Sequence, residues 1–151
     1  IPGGGGVVAA ATASDSAIAV LLRDTARRYG LDPALVQAVA WQESGWRQGA
    51  VSPAGAIGVM QLLPPTAAWV AEDLVGRPLD IEGSAADNIL AGVALLSWLL
   101  DFAGDEDLAL AYYVQGQGNV ARDGIYAETW GYIAAVNGTR NHIARFGTPP
   151  S

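Results

Sequence analysis

The chain has no cysteine and no lysine, and only one histidine and one methionine in 151 residues. Without cysteine there can be neither a disulfide nor a thiolate metal site. His142 cannot build a zinc centre alone, and it reads as a surface or helix-terminal residue; no metal and no cofactor are expected. All eight cations are arginine, set against fifteen carboxylates for a formal charge of −7. No basic patch is available to neutralise phosphates, so nucleic acid is not expected as a partner. The longest apolar run, Ile89 to Leu100, stops at Asp101 after twelve residues, short of the ~20 that a bilayer crossing takes. It predicts a buried helix and no membrane span.

What is present is apolar and weakly charged, 51% hydrophobic against 15% charged, a balance that favours a packed core over disorder. A chain of this length suits one domain. Residues 1–15, with four consecutive glycines at Gly3 to Gly6, have little side chain to bury and read as a flexible linker. Residues 148–151 read as a tail, which leaves 16–147 as the folded unit. The chain opens on Ile1-Pro2 with no apolar leader, which reads as a fragment or mature form of a longer parent, expected to be a monomer.

The helical period dominates that unit. Ala17, Val20, Leu21 and Ala26 alternate with charged positions and end at Gly30. Asp32-Pro33 has the chemistry of an N-cap followed by a first-turn proline, and the helix it opens carries Leu35, Val36, Val39 and Ala40 to Glu43. Loop chemistry follows from Trp46 to Pro65. Further helices are predicted over 66–74, 84–102, 106–114 and 128–136, with a glycine-marked loop at Gly116, Gly118 and Gly124. Strand signals are nearly absent and there is no internal repeat.

A glutamate at the end of an apolar helix is usually a solvated carboxylate. Glu43 is flanked by Trp41 and Trp46, and an apolar setting disfavours the charged form, which suits a proton donor near neutral pH. The negative end of the helix dipole pushes the same way.

Glu43-Ser44-Gly45-Trp46, then Ser52-Pro53-Ala54-Gly55-Ala56-Ile57-Gly58-Val59-Met60-Gln61-Leu62 and Pro64-Pro65-Thr66, resemble the catalytic signature of the soluble lytic transglycosylase family. Asp87-Asn88-Ile89-Leu90-Ala91-Gly92, Leu108 to Val120, and Glu128-Thr129 to Tyr132 resemble its later blocks in the same order, so the likeness spans about residues 30 to 137. It implies a mainly α, lysozyme-like domain of the goose-type class with little or no β-sheet. It also implies a peptidoglycan glycan strand as substrate, action in the cell envelope or outside the cell, and non-hydrolytic cleavage that leaves 1,6-anhydro ends.

By the same resemblance Glu43 is the single acid and base. Ser52 assists the substrate's acetamido group, and Tyr113 and Tyr132 orient Glu43, although a buried tyrosine serves packing equally well. Met60 and Gln61 complete the substrate contacts. Gly55 and Gly58 would let backbone approach the sugar closely. The chain departs from the family where Tyr113-Val114-Gln115-Gly116 replaces a Tyr-Asn-Ala-Gly block, a variant that resembles actinobacterial and phage-associated members; Gln115 is expected to supply the missing amide contact. Leu95 stands where the family often has tyrosine and is expected to touch core packing only. Trp130 either lines the cleft as a sugar platform or shields its helix. The alternatives are a goose-type hydrolase, which needs an aspartate across the cleft, and a non-catalytic glycan-binding module.

Overall fold

The structure is a computed structural model that describes residues 14–151. The linker expected over 1–15 lies, but for its last two residues, outside the described residues. Those two belong to the fold: Ser14 is an N-cap whose hydroxyl accepts from Ala17 N at 3.1 Å, and Asp15 begins the first helix.

Among the described residues seven helices follow one another: α1 (Asp15–Arg28), α2 (Pro33–Ser44), α3 (Pro64–Trp69, continued by a π-helical turn over Val70–Val75), α4 (Ala85–Ala103), α5 (Glu106–Gln115), α6 (Gln117–Asp123) and α7 (Ala127–Phe146). Among the described residues β-structure is limited to two isolated bridges, Val51 with Ile57 and Ile57 with Leu62. The fold is the helical, lysozyme-like one that the sequence implied.

The start signals behave as their chemistry dictates. Asp32 accepts from Ala34 N at 3.0 Å with Pro33 in the first turn, and Ser84 and Asp105 cap α4 and α5 through Asp87 N and Leu108 N. Two expectations fail. The glycine-marked loop at 116–124 contains α6, because Gly116 and Gly124 stand at its two ends with φ of 91° and 75° rather than inside it. Helix α7 does not stop at Val136 but runs ten residues further. Thr139 and Ile143 bury themselves as Ile133 and Val136 do, continuing one apolar stripe along the face packed on α2.

Helix α4 forms the middle of the core. At 19 residues and mean hydropathy 1.4 it is longer and more apolar than the twelve-residue run suggested, enough by length and composition alone to cross a bilayer. Here it packs against α1, α5 and the π-helical turn, with Ile89, Val93 and Leu96 fully buried. Gly92 is the point of closest approach: a Cβ there would meet Met60 Cβ at 2.4 Å. Only glycine lets the 58–62 loop lie directly on this helix.

Candidate active site

Helix α2 delivers Glu43 in its last turn, and the chain then reverses through two successive left-handed residues, Gly45 (φ 63°) and Trp46 (φ 64°). The second is tolerated because its indole is anchored. Nε1 donates to Gln37 O at 2.9 Å, and the ring packs edge-on against Trp41 with centroids 5.4 Å apart. Neither tryptophan lines the cleft, so their place near Glu43 in sequence serves the core.

The returning loop is held by side chains that grip its backbone. Asn88, fully buried, accepts from Met60 N at 2.8 Å and donates to Ile57 O and Ile81 O at 2.9 and 3.0 Å. Gln48 accepts from Val59 N at 3.3 Å and donates to Ile81 O at 2.8 Å, and Ser44 donates to Val59 O at 2.8 Å. Gly58 lies between the two amides with φ of 81°; a Cβ there would come within 2.2 Å of Asn88 Nδ2. The close approach that this glycine permits is therefore to the clamp, not to a sugar. Gln48 escaped the sequence analysis because an isolated neutral amide carries no signal of its own.

The loop closes one wall of a cleft of about 660 Å³, into which Glu43, Ser52, Gln61 and Tyr113 all face. Among the described residues Glu43 is the one carboxylate in its lining. Burial raises the Glu43 carboxyl from an ordinary 4.5 to about 7, against the opposing pull of a hydrogen bond from Tyr132. The Tyr132 hydroxyl, on α7, which packs against α2, donates to Glu43 Oε2 at 2.8 Å. Burial and the neighbouring Glu43 hold the phenols of Tyr132 and Tyr113 well above their usual range, so both remain proton donors. Tyr113 spends its proton on Met60 O at 2.7 Å, not on Glu43.

Ser52 Oγ accepts from Ala56 N at 3.0 Å, which leaves its own proton available to a ligand. Gln61 occupies a left-handed conformation (φ 52°) and gives both amide protons to carbonyls, to Ala50 O at 3.1 Å and Gly58 O at 3.0 Å. Its carbonyl oxygen has no partner among the described residues and is not buried, so it is free to accept.

Two of the expected site residues stand elsewhere, and so does Trp130, for which a cleft position was one of two readings. Met60 is fully buried against Gly92, and only its carbonyl serves the site, by holding Tyr113. Gln115 is absent from the cleft lining, and its amide is engaged by α6 and α7. Trp130 is half exposed on α7 and also lies outside the lining. Conversely, Leu95 does more than pack the core, since it lines the cleft with Trp98 and Leu99. Their spacing of three and four residues along α4 puts them on one helix face, a signal present in the sequence but indistinguishable there from core periodicity. Trp69 and Tyr112 complete an aromatic wall in which Trp69 and Trp98 meet edge to face at 5.2 Å.

A helical, lysozyme-like domain with one carboxyl, partly buried, in a cleft of about 660 Å³ is the class that fold and site define. The sequence profile of the transglycosylase SLT domain matches residues 21–135, so the chain belongs to that family. It is 39% identical over 84 residues to a membrane-bound lytic murein transglycosylase C of Mannheimia succiniciproducens, a match covering 53% of this chain and 23% of the relative. It is 38% identical over 89 residues to a transglycosylase of Enterobacteria phage PRD1, covering 59% and 31%. The chain thus spans between about a quarter and a third of these relatives' lengths. Among solved structures, an inactive mutant of lytic transglycosylase Slt from Pseudomonas aeruginosa superposes with a TM-score of 0.73 at 27% identity, covering 93% of this chain and 25% of that one. The 70 kDa soluble lytic transglycosylase from Escherichia coli gives 0.76 at 23% identity, covering 86% and 24%, a likeness of fold.

Proposed function

We propose that this domain is a peptidoglycan lytic transglycosylase in which Glu43 is first general acid and then general base. The observation that carries the reading is a lone carboxyl raised to about 7 in a cleft with no second carboxylate among its described lining residues. Hydrolysis of a glycosidic bond ordinarily uses two carboxylates at a defined separation. A cleft with one favours a reaction in which the substrate supplies the missing nucleophile.

In that reaction protonated Glu43 gives its proton to the oxygen linking N-acetylmuramic acid to the next N-acetylglucosamine. The bond from the muramic anomeric carbon breaks, and the departing sugar leaves with a new 4-hydroxyl. The muramic 6-hydroxyl attacks the anomeric carbon and returns its proton to Glu43, so a 1,6-anhydro end forms and no water is consumed. Tyr132 holds Glu43 by its hydrogen bond. Ser52 has a free hydroxyl proton for the acetamido oxygen, and Gln61 a free carbonyl for a sugar hydroxyl or amide. The names of the relatives support the substrate class and, with it, a working place in the cell envelope. Their greater length supports residues 14–147 as the catalytic module of a longer chain.

Mass spectrometry of muropeptides released from purified peptidoglycan tests this reading. Anhydro-ended products, one water lighter than reducing ends and absent with Glu43→Gln, are expected. Reducing ends would instead indicate a hydrolase, and saturable binding without products a carbohydrate-binding module.

A further inference from the structure

Gln115 was expected to touch substrate, yet neither it nor any of its hydrogen-bond partners lines the cleft. Helix α7 begins after Tyr126, which provides no side-chain cap of its own. In a capping box the residue three positions into a helix returns a carboxylate or amide oxygen to the N–H of the N-cap. The residue in that position here is Thr129, whose hydroxyl is instead a donor. Gln115 Oε1, from the end of α5, accepts from both Tyr126 N at 3.1 Å and Thr129 Oγ1 at 2.7 Å. Its amide nitrogen donates to Gly124 O at 2.8 Å. A glutamine on another helix thus supplies the acceptor that a capping box requires, and pins both ends of the turn between α6 and α7.

Tyr132 lies three residues beyond buried Thr129, on the same face of α7. It is the residue that bonds Glu43. A second tie lies two turns further along, where Gln42, next to Glu43, donates to Thr139 Oγ1 at 2.9 Å. The stretch of α7 that carries Tyr132 is therefore fixed at one end by α5 and at the other by α2.

Resting on the transglycosylase reading above, we propose that Gln115 is a positioning residue, one that completes the N-terminal cap of α7 from α5 and thereby sets Tyr132 against Glu43. Without it the start of α7 can slip or fray, and the Tyr132 hydroxyl loses its fixed reach to Oε2.

The test compares Gln115→Leu, Tyr132→Phe and the double variant in the 151-residue chain, by kcat and KM on soluble glycan strands and by a 13C titration of the Glu43 carboxyl. Gln115→Leu is expected to lower kcat roughly three- to tenfold, the worth of one or two hydrogen bonds, with KM little changed. It should move the Glu43 midpoint above about 7, in the direction Tyr132→Phe moves it, because both weaken the bond that favours the carboxylate. The double variant should be no worse than Tyr132→Phe alone. Gln115→Glu keeps an acceptor for both donors but turns an oxygen toward Gly124 O, so it should recover part of the lost turnover and part of the midpoint shift. Should Gln115→Leu fail to fold, Thr129→Val removes one of the same bonds with little change of shape and should shift the midpoint in the same direction. A raised KM with an unmoved midpoint, or losses that simply add in the double variant, would overturn the proposal. Activity surviving in Glu43→Gln would sink the functional reading instead, while the titration still reports whether Gln115 and Glu43 are coupled.

Discussion

Glu43→Gln, expected to abolish turnover, is also expected to stabilise the protein at neutral and alkaline pH. The folded chain holds the Glu43 proton to about 7, whereas an ordinary carboxyl releases it near 4.5. Over that interval the folded state binds the proton more tightly than the unfolded one, so stability falls as pH rises. The contribution is fully present below about 4.5 and lost as pH passes through about 7. At 1.36 kcal/mol per unit of pKa difference the loss approaches about 3 kcal/mol, the cost of ionising a partly desolvated carboxylate. Glutamine carries no charge and its carbonyl can still accept from Tyr132. The stability difference between variant and wild type should therefore be small at pH 4 and grow to its full size by pH 8. In a domain of this size each kcal/mol is worth about 2–4 °C, so the midpoints of thermal unfolding should separate by roughly 6–12 °C. Urea titrations at half-unit pH steps would give the free energies directly. Stability curves that run parallel from pH 4 to 8 would refute the argument, since they would mean that burial is not what raises this carboxyl.

Two further outcomes are expected away from the acid itself. Gly58→Ala puts a Cβ 2.2 Å from Asn88 Nδ2 at a residue with φ of 81°; it should cost at least about 2 kcal/mol, read from urea midpoints, and should reduce activity as the loop lifts. Arg140, which joins Asp32 (2.8 Å) to Glu106 across three helices, is partly exposed, so Arg140→Ala should cost about 1 kcal/mol or less. That loss should shrink when salt is raised to 1 M.

The sequence disclosed the fold through its punctuation. Asp32-Pro33 marks a helix start by a chemistry that acts within three residues, and such a signal survives without tertiary information. The true end of α7 was hidden because Asn137-Gly138 reads as a stop. The packing of Thr139 and Ile143 against α2, invisible in a local window, overrides it. Helix α6 is too short to show a period and was masked by its own flanking glycines. At the site, Glu43, Ser52 and Gln61 were legible because the resemblance fixes their spacing. The same spacing misassigned Met60 and Gln115, whose partners Gly92, Tyr126 and Thr129 are chosen by how α4, α5 and α7 meet. Leu95 and Trp98 went unrecognised for a related reason: one face of a helix can line a cleft or fill a core with the same residues.

The clamp on the 46–62 loop has a consequence for how such a domain can diversify. Asn88, Gln48 and Ser44 bond to Ile57 O, Val59 N, Val59 O and Met60 N, all of them main-chain atoms. Every residue offers the same carbonyl, and every residue but proline the same N–H. For these four main-chain contacts the scaffold demands a count of residues and a glycine at Gly58, while Gln48 and the buried Trp46, Val59, Met60 and Leu62 are held by their own bonds and packing. Ala54, Ala56 and Leu63 face the cleft without taking part in that grip, so exchanges there can reshape the lip while Glu43 beneath keeps its place. The helix that carries Glu43 and the rim of the cleft can thus vary independently within a single small domain.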